Sequence, residues 1–370
     1  MLSTRAGMSD FFRNLVLILF FIFLFGCKSA HLNNHNNLKI KFLSEYILPG
    51  NLIVDKTLVG GLSGIDFYQG AYYLACDDTE NPRIYEASFD IENYKISNVS
   101  IDKAILVKDP SDFLDMESIR VDPKTSQILL TSEGQINRQK DPVFIAVNSE
   151  GEVVTRYKIP EAFHANSLQK PRDNATLEGL CLSFNKKGFW LGMELPLVMD
   201  GLEPKLNLTK SPVRITYINS KTKKPGKQFG YLLDPVAKKP KSSFMINGLT
   251  DLVEYDTDIF LVIERSYSSG LGNQGNTIKI FKVNAAMATN TLHMNSLKDA
   301  EYIPAKKELL FNFEHLRDQL TDNSIDNIEG ITFGPMLPNG HKSLILVSDN
   351  NFNRQEKQLN QFILLELIED

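Results

Sequence analysis

Acidic residues recur at both ends of predicted β-hairpins, and this spacing is the chain's main indication of chemistry. Glu329 begins one strand-like run and Asp349 ends the next, with turn residues between them. The same layout pairs Glu117 with Glu133 and Glu178 with Glu194. Because an antiparallel hairpin returns the chain to its starting level, the carboxylates of each pair are expected at one end of a sheet.

Carboxylates gathered in this way repel one another, which raises their pKa values unless a cation lies among them. A hard divalent ion with oxygen ligands, Ca²⁺ ahead of Mg²⁺, is the expected cofactor. The expected metal ligands are Glu117, Glu133, Glu178, Glu194, Glu329 and Asp349. Glu329 and Asp349 are also the predicted catalytic residues. The alternative is that these acids are solvated or cap turns at strand ends.

Two further units follow the same layout with one acid replaced. Ser63 and Thr250 stand where the first acid is expected, while the second position is assigned to Asp77 or Asp78 and to Glu264. Three arginines, Arg83, Arg138 and Arg265, follow second-strand acids by a few residues. We expect them to bind an anionic substrate, and ordinary surface ion pairs are the alternative.

The elements that must position these acids are strands in a repeat. Five units of two strand-like runs are visible, and further strand-like pairs lie between them. Four strands per repeat predict an all-β fold, a β-propeller. We expect six blades, the sixth lying between Lys205 and Pro240 or near Lys298 to Phe313. Leu38 to Leu48 is expected to pair with Gln361 to Ile368 and close the ring.

The composition excludes some partners. The chain has 370 residues, 42% of them hydrophobic, and a formal net charge of -5. Its lysine-rich stretches, Lys221 to Lys227 and Lys238 to Lys241, lie beside Pro and Gly in apparent loops without interleaved aromatics, so no nucleic-acid partner is expected. A monomer is expected, with a small anionic ester or lactone as the ligand.

The N-terminus predicts export. An apolar run from Leu15 to Phe25 precedes Gly26 and Cys27, and this stretch resembles a bacterial lipobox. We therefore expect a signal peptide at 1–27, lipidation of Cys27, a tether at 28–37 and one domain at 38–370. The expected location is the bacterial cell envelope, with membrane attachment only through the lipid. An uncleaved anchor or an ordinary signal peptide is the alternative.

Other sequence signals are few. Cys76 and Cys181 lie inside strand-like runs and are expected to be buried free thiols. Ser63 lacks the glycine pattern of a nucleophile elbow, and the chain has no His-Glu-x-x-His motif and no phosphate-binding P-loop.

Several blocks resemble a known family. Glu329-Gly330-Ile331, Gly334-Pro335 and the run from Leu346 to Phe352 are similar to the closing segment of the phytase-like domain, named for the esterase-like activity of phytase. Earlier blocks fit in order, namely Leu62 to Ile65, Met116 to Ile119, Ser132 to Gly134, Leu177 to Leu180 and Val262 to Arg265. The resemblance implies a secreted or envelope β-propeller that hydrolyses phosphate or carboxylate esters.

Three functions remain open from the sequence. The leading prediction is a metal-dependent hydrolase of phosphate or other anionic esters. A non-catalytic binding or scaffold propeller would use the same acids to hold a structural ion or line a solvated channel. A sugar-lactone hydrolase would share the propeller, the channel and the metal.

Overall fold

Twenty-two β-strands form the regular structure of the described residues, together with short 3-10 turns. The computed structural model describes residues 38–109, 113–353 and 358–369. Cys27, the predicted signal peptide at 1–27 and the tether at 28–37 lie outside the described residues. No helix within the described ranges is long and apolar enough to cross a bilayer.

The strands form five four-stranded antiparallel sheets, which we number as blades in chain order. Blade one contains β4 (Leu62–Tyr68), β5 (Ala71–Cys76), β6 (Arg83–Glu92) and β7 (Lys95–Leu106). Blade two contains β8 (Met116–Val121), β9 (Ile128–Ser132), β10 (Val143–Val147) and β11 (Val153–Tyr157). Blade three contains β12 (Leu177–Leu182), β13 (Gly188–Met193), β14 (Pro212–Asn219) and β15 (Lys224–Leu232).

Blades four and five complete the ring. Blade four contains β16 (Met245–Asp256), β17 (Ile259–Ser268), β18 (Asn276–Asn284) and β19 (Lys306–Asn312). Blade five contains β20 (Asn327–Phe333), β21 (Lys342–Asp349), β22 (Asn360–Glu369) and β1 (Leu38–Leu48). A separate hairpin consists of β2 (Ile53–Val54) and β3 (Thr57–Leu58). The 3-10 turns are Ile136–Arg138, Glu161–Phe163, Gly272–Gln274, Phe313–Gln319, Thr321–Asn323 and Asn351–Asn353.

The ring is closed by its first and last strands, as predicted. β1 pairs antiparallel with β22 from Leu38 and Glu369 to Leu48 and Asn360. The inner strands β4, β8, β12, β16 and β20 contact one another in sequence, and β20 contacts β4. The β-propeller prediction is therefore confirmed.

The blade number is five, so the prediction of six was wrong. The stretch assigned to a sixth blade between Lys205 and Pro240 contains β14 and β15, the outer strands of blade three. The stretch near Lys298 to Phe313 contains β19, the outermost strand of blade four. The later repeat units are longer because of loops, such as residues 285–305 between β18 and β19, and these loops add no blade.

The hydrophobic core lies between neighbouring blades. The strands nearest the axis are the most buried, and every residue of the inner strand β8 and of the second strand β13 is buried. Trp190 of blade three packs edge-on against Phe260 of blade four, with the ring centroids 5.2 Å apart. Cys76 and Cys181 are buried free thiols, as expected.

Candidate functional site

Each inner strand carries a β-bulge at the same position. The pairing shifts between Met116 and Ser118 in blade two and between Ile328 and Gly330 in blade five, so the residue in between has no direct cross-strand partner. A bulge bends the strand and re-aims a side chain. The bulged residues of the five blades are Ser63, Glu117, Glu178, Thr250 and Glu329.

A second set of residues lies on the second strands or directly after them, each one position beyond the partner of the residue that precedes the bulge. In blade two, Met116 pairs with Ser132, and Glu133 comes next. The same register applied to every blade gives Asp77, Glu133, Glu194, Arg265 and Asp349. We call the end of the propeller that carries both sets, together with Asp115, the acidic mouth.

The register corrects one assignment made from the sequence, that of Glu264. This residue pairs with Leu249, so its neighbour Arg265 occupies the position that acids occupy in the other blades. The Glu264 carboxylate accepts hydrogen bonds from Tyr231 Oη at 2.5 Å and Asn247 Nδ2 at 2.7 Å. It also pairs with Lys307 Nζ at 2.6 Å. Glu264 is therefore held within a structural network.

Glu133 belongs to two groups of acids whose oxygens converge. In each group one carboxylate oxygen per residue lies within 4.8 Å of the others. The first group is Asp115, Glu117 and Glu133, and the second is Glu133, Glu178 and Glu194. Sets of carboxylate oxygens at this spacing suit Ca²⁺. Four of the six predicted metal ligands therefore meet in these groups.

Asp115 was not among the ligands predicted from the sequence. It precedes β8, and its carbonyl oxygen accepts a hydrogen bond from Glu133 N at 3.0 Å. Burial, followed by repulsion from Asp77, raises the pKa of Asp115 to about 7. Its position two residues before Glu117 was the available signal, but only the structure shows that both side chains reach Glu133.

The electrostatics of these groups favour bound protons or a cation. Burial is the largest cause that raises the pKa of Glu117, Glu133 and Glu178 well above the ordinary range, and repulsion from neighbouring carboxylates adds to it. Burial also raises the pKa of Glu194 to about 7, although Arg265 opposes this shift. A cation among these oxygens would favour the charged forms of all of them.

Glu329 and Asp349 lie on the blade-five side of the mouth. Asn327 Nδ2 donates to Glu329 Oε1 at 2.8 Å and to Asp349 Oδ2 at 3.4 Å, so one amide orients both acids. Burial raises the pKa of Glu329 to about 8, against the opposing charge of Arg265. Burial and repulsion from Asp77 raise the pKa of Asp349 well above its ordinary range.

Arg265 is the predicted arginine that the structure places among these acids. Its Nη2 lies 3.6 Å from Glu194 Oε1 and 3.5 Å from Glu329 Oε1. Burial lowers the pKa of the guanidinium, but the surrounding carboxylates outweigh this effect and raise it. The buried Nε of Arg265 has no hydrogen-bond partner among the described residues. The guanidinium of Arg265 is therefore a cationic group among the acids of the mouth.

The other predicted site arginines lie elsewhere. Arg83 is buried, and its nitrogens donate to Asp78, Tyr85 and backbone carbonyls, with the ion pair to Asp78 at 2.7 Å. Arg138 is exposed on the 3-10 turn Ile136–Arg138. In the part of the chain that the structure describes, neither guanidinium forms an ion pair with an acid of the acidic mouth.

A buried ion pair lies on the axis beneath the mouth. Arg120 Nη2 donates to Asp251 Oδ2 at 2.8 Å, and the two side chains are 2% and 0% exposed. Asp251 also accepts from Ile331 N at 2.9 Å, and Arg120 Nη1 donates to Ile65 O at 2.8 Å. Because these bonds connect inner strands of four blades, the pair fills the axis. Ser118 belongs to the same arrangement, since its Oγ donates to Asp251 Oδ1 at 3.3 Å.

Comparison with protein families identifies the family of this chain. The family model for phytase-like proteins, described as "Esterase-like activity of phytase", matches residues 57–352. This chain belongs to the phytase-like family. The matched stretch contains the bulged residues and the second set from Asp77 to Asp349, while the closing strand pair of β1 and β22 lies outside it.

Several solved structures are similar to this phytase-like chain. Myxococcus xanthus glutaminyl cyclase matches with 8% identity over 89% of this chain and 96% of that chain, at a TM-score of 0.43. A GH43 β-1,3-galactosidase with galactodeoxynojirimycin matches with 11% identity over 86% of this chain and 94% of that chain, at a TM-score of 0.45. A member of the duf4221 family from Bacteroides vulgatus matches with 13% identity over 89% of this chain and 98% of that chain, at a TM-score of 0.35. A search of curated proteins found no significant match.

Proposed function

We propose that this phytase-like propeller is a metal-dependent hydrolase of phosphate or other anionic esters. The observation that carries the proposal is the pair of acid groups sharing Glu133, with Arg265 at the same mouth. The family description, which names an esterase-like activity, supports ester cleavage. The ligand class that fits is a small ester with a negative charge near the scissile bond.

The acids of blades two and three would hold the cation. Asp115, Glu117, Glu133, Glu178 and Glu194 supply only oxygen donors, which suits Ca²⁺ ahead of Mg²⁺. The ion would polarise the ester oxygen and lower the pKa of a bound water. The residues fit such an ion because their burial makes the unneutralised anions costly.

Glu329 and Asp349 are the proposed proton-transfer residues. Neither belongs to the two converging acid groups, and Asn327 holds both. A carboxylate with a pKa of about 8, as for Glu329, can accept a proton near neutral pH and return it to a leaving group. Glu329 is therefore assigned as general base, with Asp349 as the second acid that the Asn327 amide contacts.

Arg265 is the proposed binding residue for the substrate's anionic group. Its guanidinium touches both Glu194, on the proposed metal side, and Glu329, on the proton-transfer side. An anion bound by this guanidinium would lie near both Glu194 and Glu329.

Hydrolysis assays on the purified full chain test this proposal. We expect Ca²⁺-dependent cleavage of p-nitrophenyl phosphate that is lost with a chelator, and p-nitrophenyl acetate serves as the neutral ester for comparison. Glu329→Gln is expected to lower kcat by about 100-fold or more, the contribution typical of general-base catalysis. Glu308→Gln, at an exposed acid on β19, is the matched control and is expected to leave kcat unchanged. No metal-dependent turnover of either ester class would remove the catalytic assignment.

A non-catalytic ion-binding propeller is the second candidate, because the buried acids favour a cation whether or not they catalyse a reaction. It predicts that Ca²⁺ raises the melting temperature while no ester is cleaved. A lactone hydrolase is distinguished by adding sugar lactones to the substrate panel.

The proposed location is the bacterial envelope, with attachment through a lipid on Cys27. Intact-mass analysis of membrane-purified protein is expected to show a lipidated chain beginning at Cys27. The Cys27→Ser variant is expected to lose this mass and the membrane fraction. An unlipidated chain of full length would contradict the proposal.

A further inference from the structure

Three turns at the end of the propeller opposite the acidic mouth carry five lysines, and a sixth begins the strand that follows the third turn. The inner strands β8 and β12 start at the mouth and end at turns 122–127 and 183–187, and β14 ends at turn 220–223. We call these lysines, together with Phe184, the lysine face. They are Lys124, Lys186, Lys187, Lys221, Lys223 and Lys224.

Direct contacts hold the three turns together. Lys124 Nζ donates to the Lys186 carbonyl, which joins the first turn to the second. Ser220 donates to the Lys187 carbonyl from its backbone N at 3.1 Å and from its Oγ at 2.9 Å, which joins the third turn to the second. Lysines that are spread along the sequence therefore share one surface.

These lysines are exposed and lack acidic partners. All six are exposed, and none forms an ion pair in the described ranges. Lys227, in the next stretch of the same hairpin, differs because it pairs with Asp258 at 2.6 Å. Against these six cations stand two acids in contact with the turns, Asp122 and Glu254, so this part of a chain with a net charge of -5 has a local excess of positive charge.

An exposed aromatic ring stands among the lysines. Phe184 is 51% exposed, and its backbone N donates to Glu254 Oε2 at 2.6 Å, which fixes the turn. Large apolar side chains beside basic residues are typical of surfaces that lie on a membrane interface.

The described chain also enters the propeller at this end. Leu38 pairs with Glu369, and Lys342 pairs with Leu367, so the start of β1 lies level with the start of β21. β21 then runs to Asp349 at the mouth. Cys27 lies eleven residues before Leu38, and a chain of that length spans at most about 40 Å. A lipid on Cys27 would thus keep this end near the bilayer.

We infer that the lysine face docks on an anionic membrane surface and turns the acidic mouth away from the bilayer. Basic clusters are attracted to anionic headgroups over about one Debye length, and Phe184 would enter the headgroup region. This orientation exposes the acids to soluble ligands. The inference does not depend on whether the mouth is catalytic.

Hydrogen exchange on vesicles tests the inference. The full chain is reconstituted into phosphatidylcholine vesicles with and without phosphatidylglycerol, and exchange is compared by mass spectrometry. We expect slower exchange at turns 122–127, 183–187 and 220–223 only on the anionic vesicles, and we expect the slowing to be lost in high salt. Exchange at these turns that is equal on both vesicle types would overturn the inference, and this comparison needs no variant.

A charge-reversal variant with a matched control sharpens the test. We expect the slower hydrogen exchange to be abolished in a triple variant that carries Lys186→Glu, Lys187→Glu and Lys221→Glu. The control reverses three exposed lysines in loops at the other end, Lys140, Lys170 and Lys210, and is expected to retain it. Slowing that survives in the first variant would contradict the inference. If soluble polyphosphate slows hydrogen exchange at these turns and anionic vesicles do not, the lysine face binds a soluble polyanion. That result would also overturn the inference.

Discussion

At the residue scale, the acidic mouth is a set of carboxylates that burial makes costly to ionise. Glu117, Glu133 and Glu178 have pKa values raised well above the ordinary range by burial first and mutual repulsion second. At low pH the carboxylates can bind protons and become neutral, and at neutral pH a divalent ion can balance their negative charge. Ca²⁺ should therefore stabilise the native state more at neutral and alkaline pH than at acidic pH.

The metal-free protein is expected to lose stability as pH rises. Burial raises the pKa of Glu194 to about 7 and that of Glu329 to about 8 in the native state. The native state thus holds protons that the unfolded chain releases above about pH 4.5, so the unfolding free energy falls between about pH 4.5 and pH 8. Thermal unfolding with a chelator checks this, and Ca²⁺ should raise the midpoint more at pH 8 than at pH 5. A chelated protein that gains stability across this range would contradict the assignment.

Arg265 is expected to contribute to substrate binding more than to folding. Arg265→Gln removes the charge near Glu194 and Glu329. We expect KM for an anionic ester to rise by about 10-fold or more, because a charge-assisted hydrogen bond is lost. KM for a neutral ester should change little. Equal effects on both esters would indicate a purely structural role for Arg265.

At the element scale, a repeated bulge determines which residues face the mouth. The sequence predicted the strands and acid pairs from Glu117 to Asp349, because apolar runs and turn residues are local signals. It could not supply the register, since a one-residue shift moves a side chain to another face. For this reason the sequence assigned Glu264 to the second acid position of blade four and placed Arg265 beside it. In the structure Arg265 occupies that position and Glu264 lies next to it.

Glycine after the bulge allows the inner strands to approach at the axis. A Cβ on Gly330 would lie 3.0 Å from Ile65 N and 2.9 Å from Val347 Cγ1. We expect Gly330→Val to lower the unfolding free energy by about 1–3 kcal/mol through overpacking. Chemical denaturation measures this, with Gly226→Ala as the control, because a Cβ there meets only the Tyr217 ring at 3.2 Å. An unchanged midpoint for Gly330→Val would contradict the close packing.

At the scale of the whole molecule, five blades surround an axis filled by Arg120 and Asp251. The sequence did not predict this pair, because its members lie in different blades and neither belongs to a local motif. The blade number was also beyond the sequence, since long loops between later strands resemble extra repeats. Closure of the ring by the first and last strands was predictable, because pairing Leu38 to Leu48 with Gln361 to Ile368 removes two exposed sheet edges.

The axial pair is expected to be critical for stability. Asp251→Ala leaves the Arg120 guanidinium buried without its partner, which typically costs about 3–5 kcal/mol. Asp258→Ala, which removes the partner of the exposed Lys227, should cost less than about 1 kcal/mol. Denaturant unfolding of both variants measures the difference. Equal costs would show that the axial pair contributes no more than a surface pair.

Calorimetric titration of Ca²⁺ into metal-stripped full-length protein tests the central claim most directly, because Glu133 is shared by both acid groups of the mouth. We predict saturable binding to the wild type that Glu133→Gln abolishes and Glu308→Gln leaves intact. Protein that binds no divalent ion, or a Glu133→Gln variant that binds as the wild type does, would contradict a metal centre at the acidic mouth.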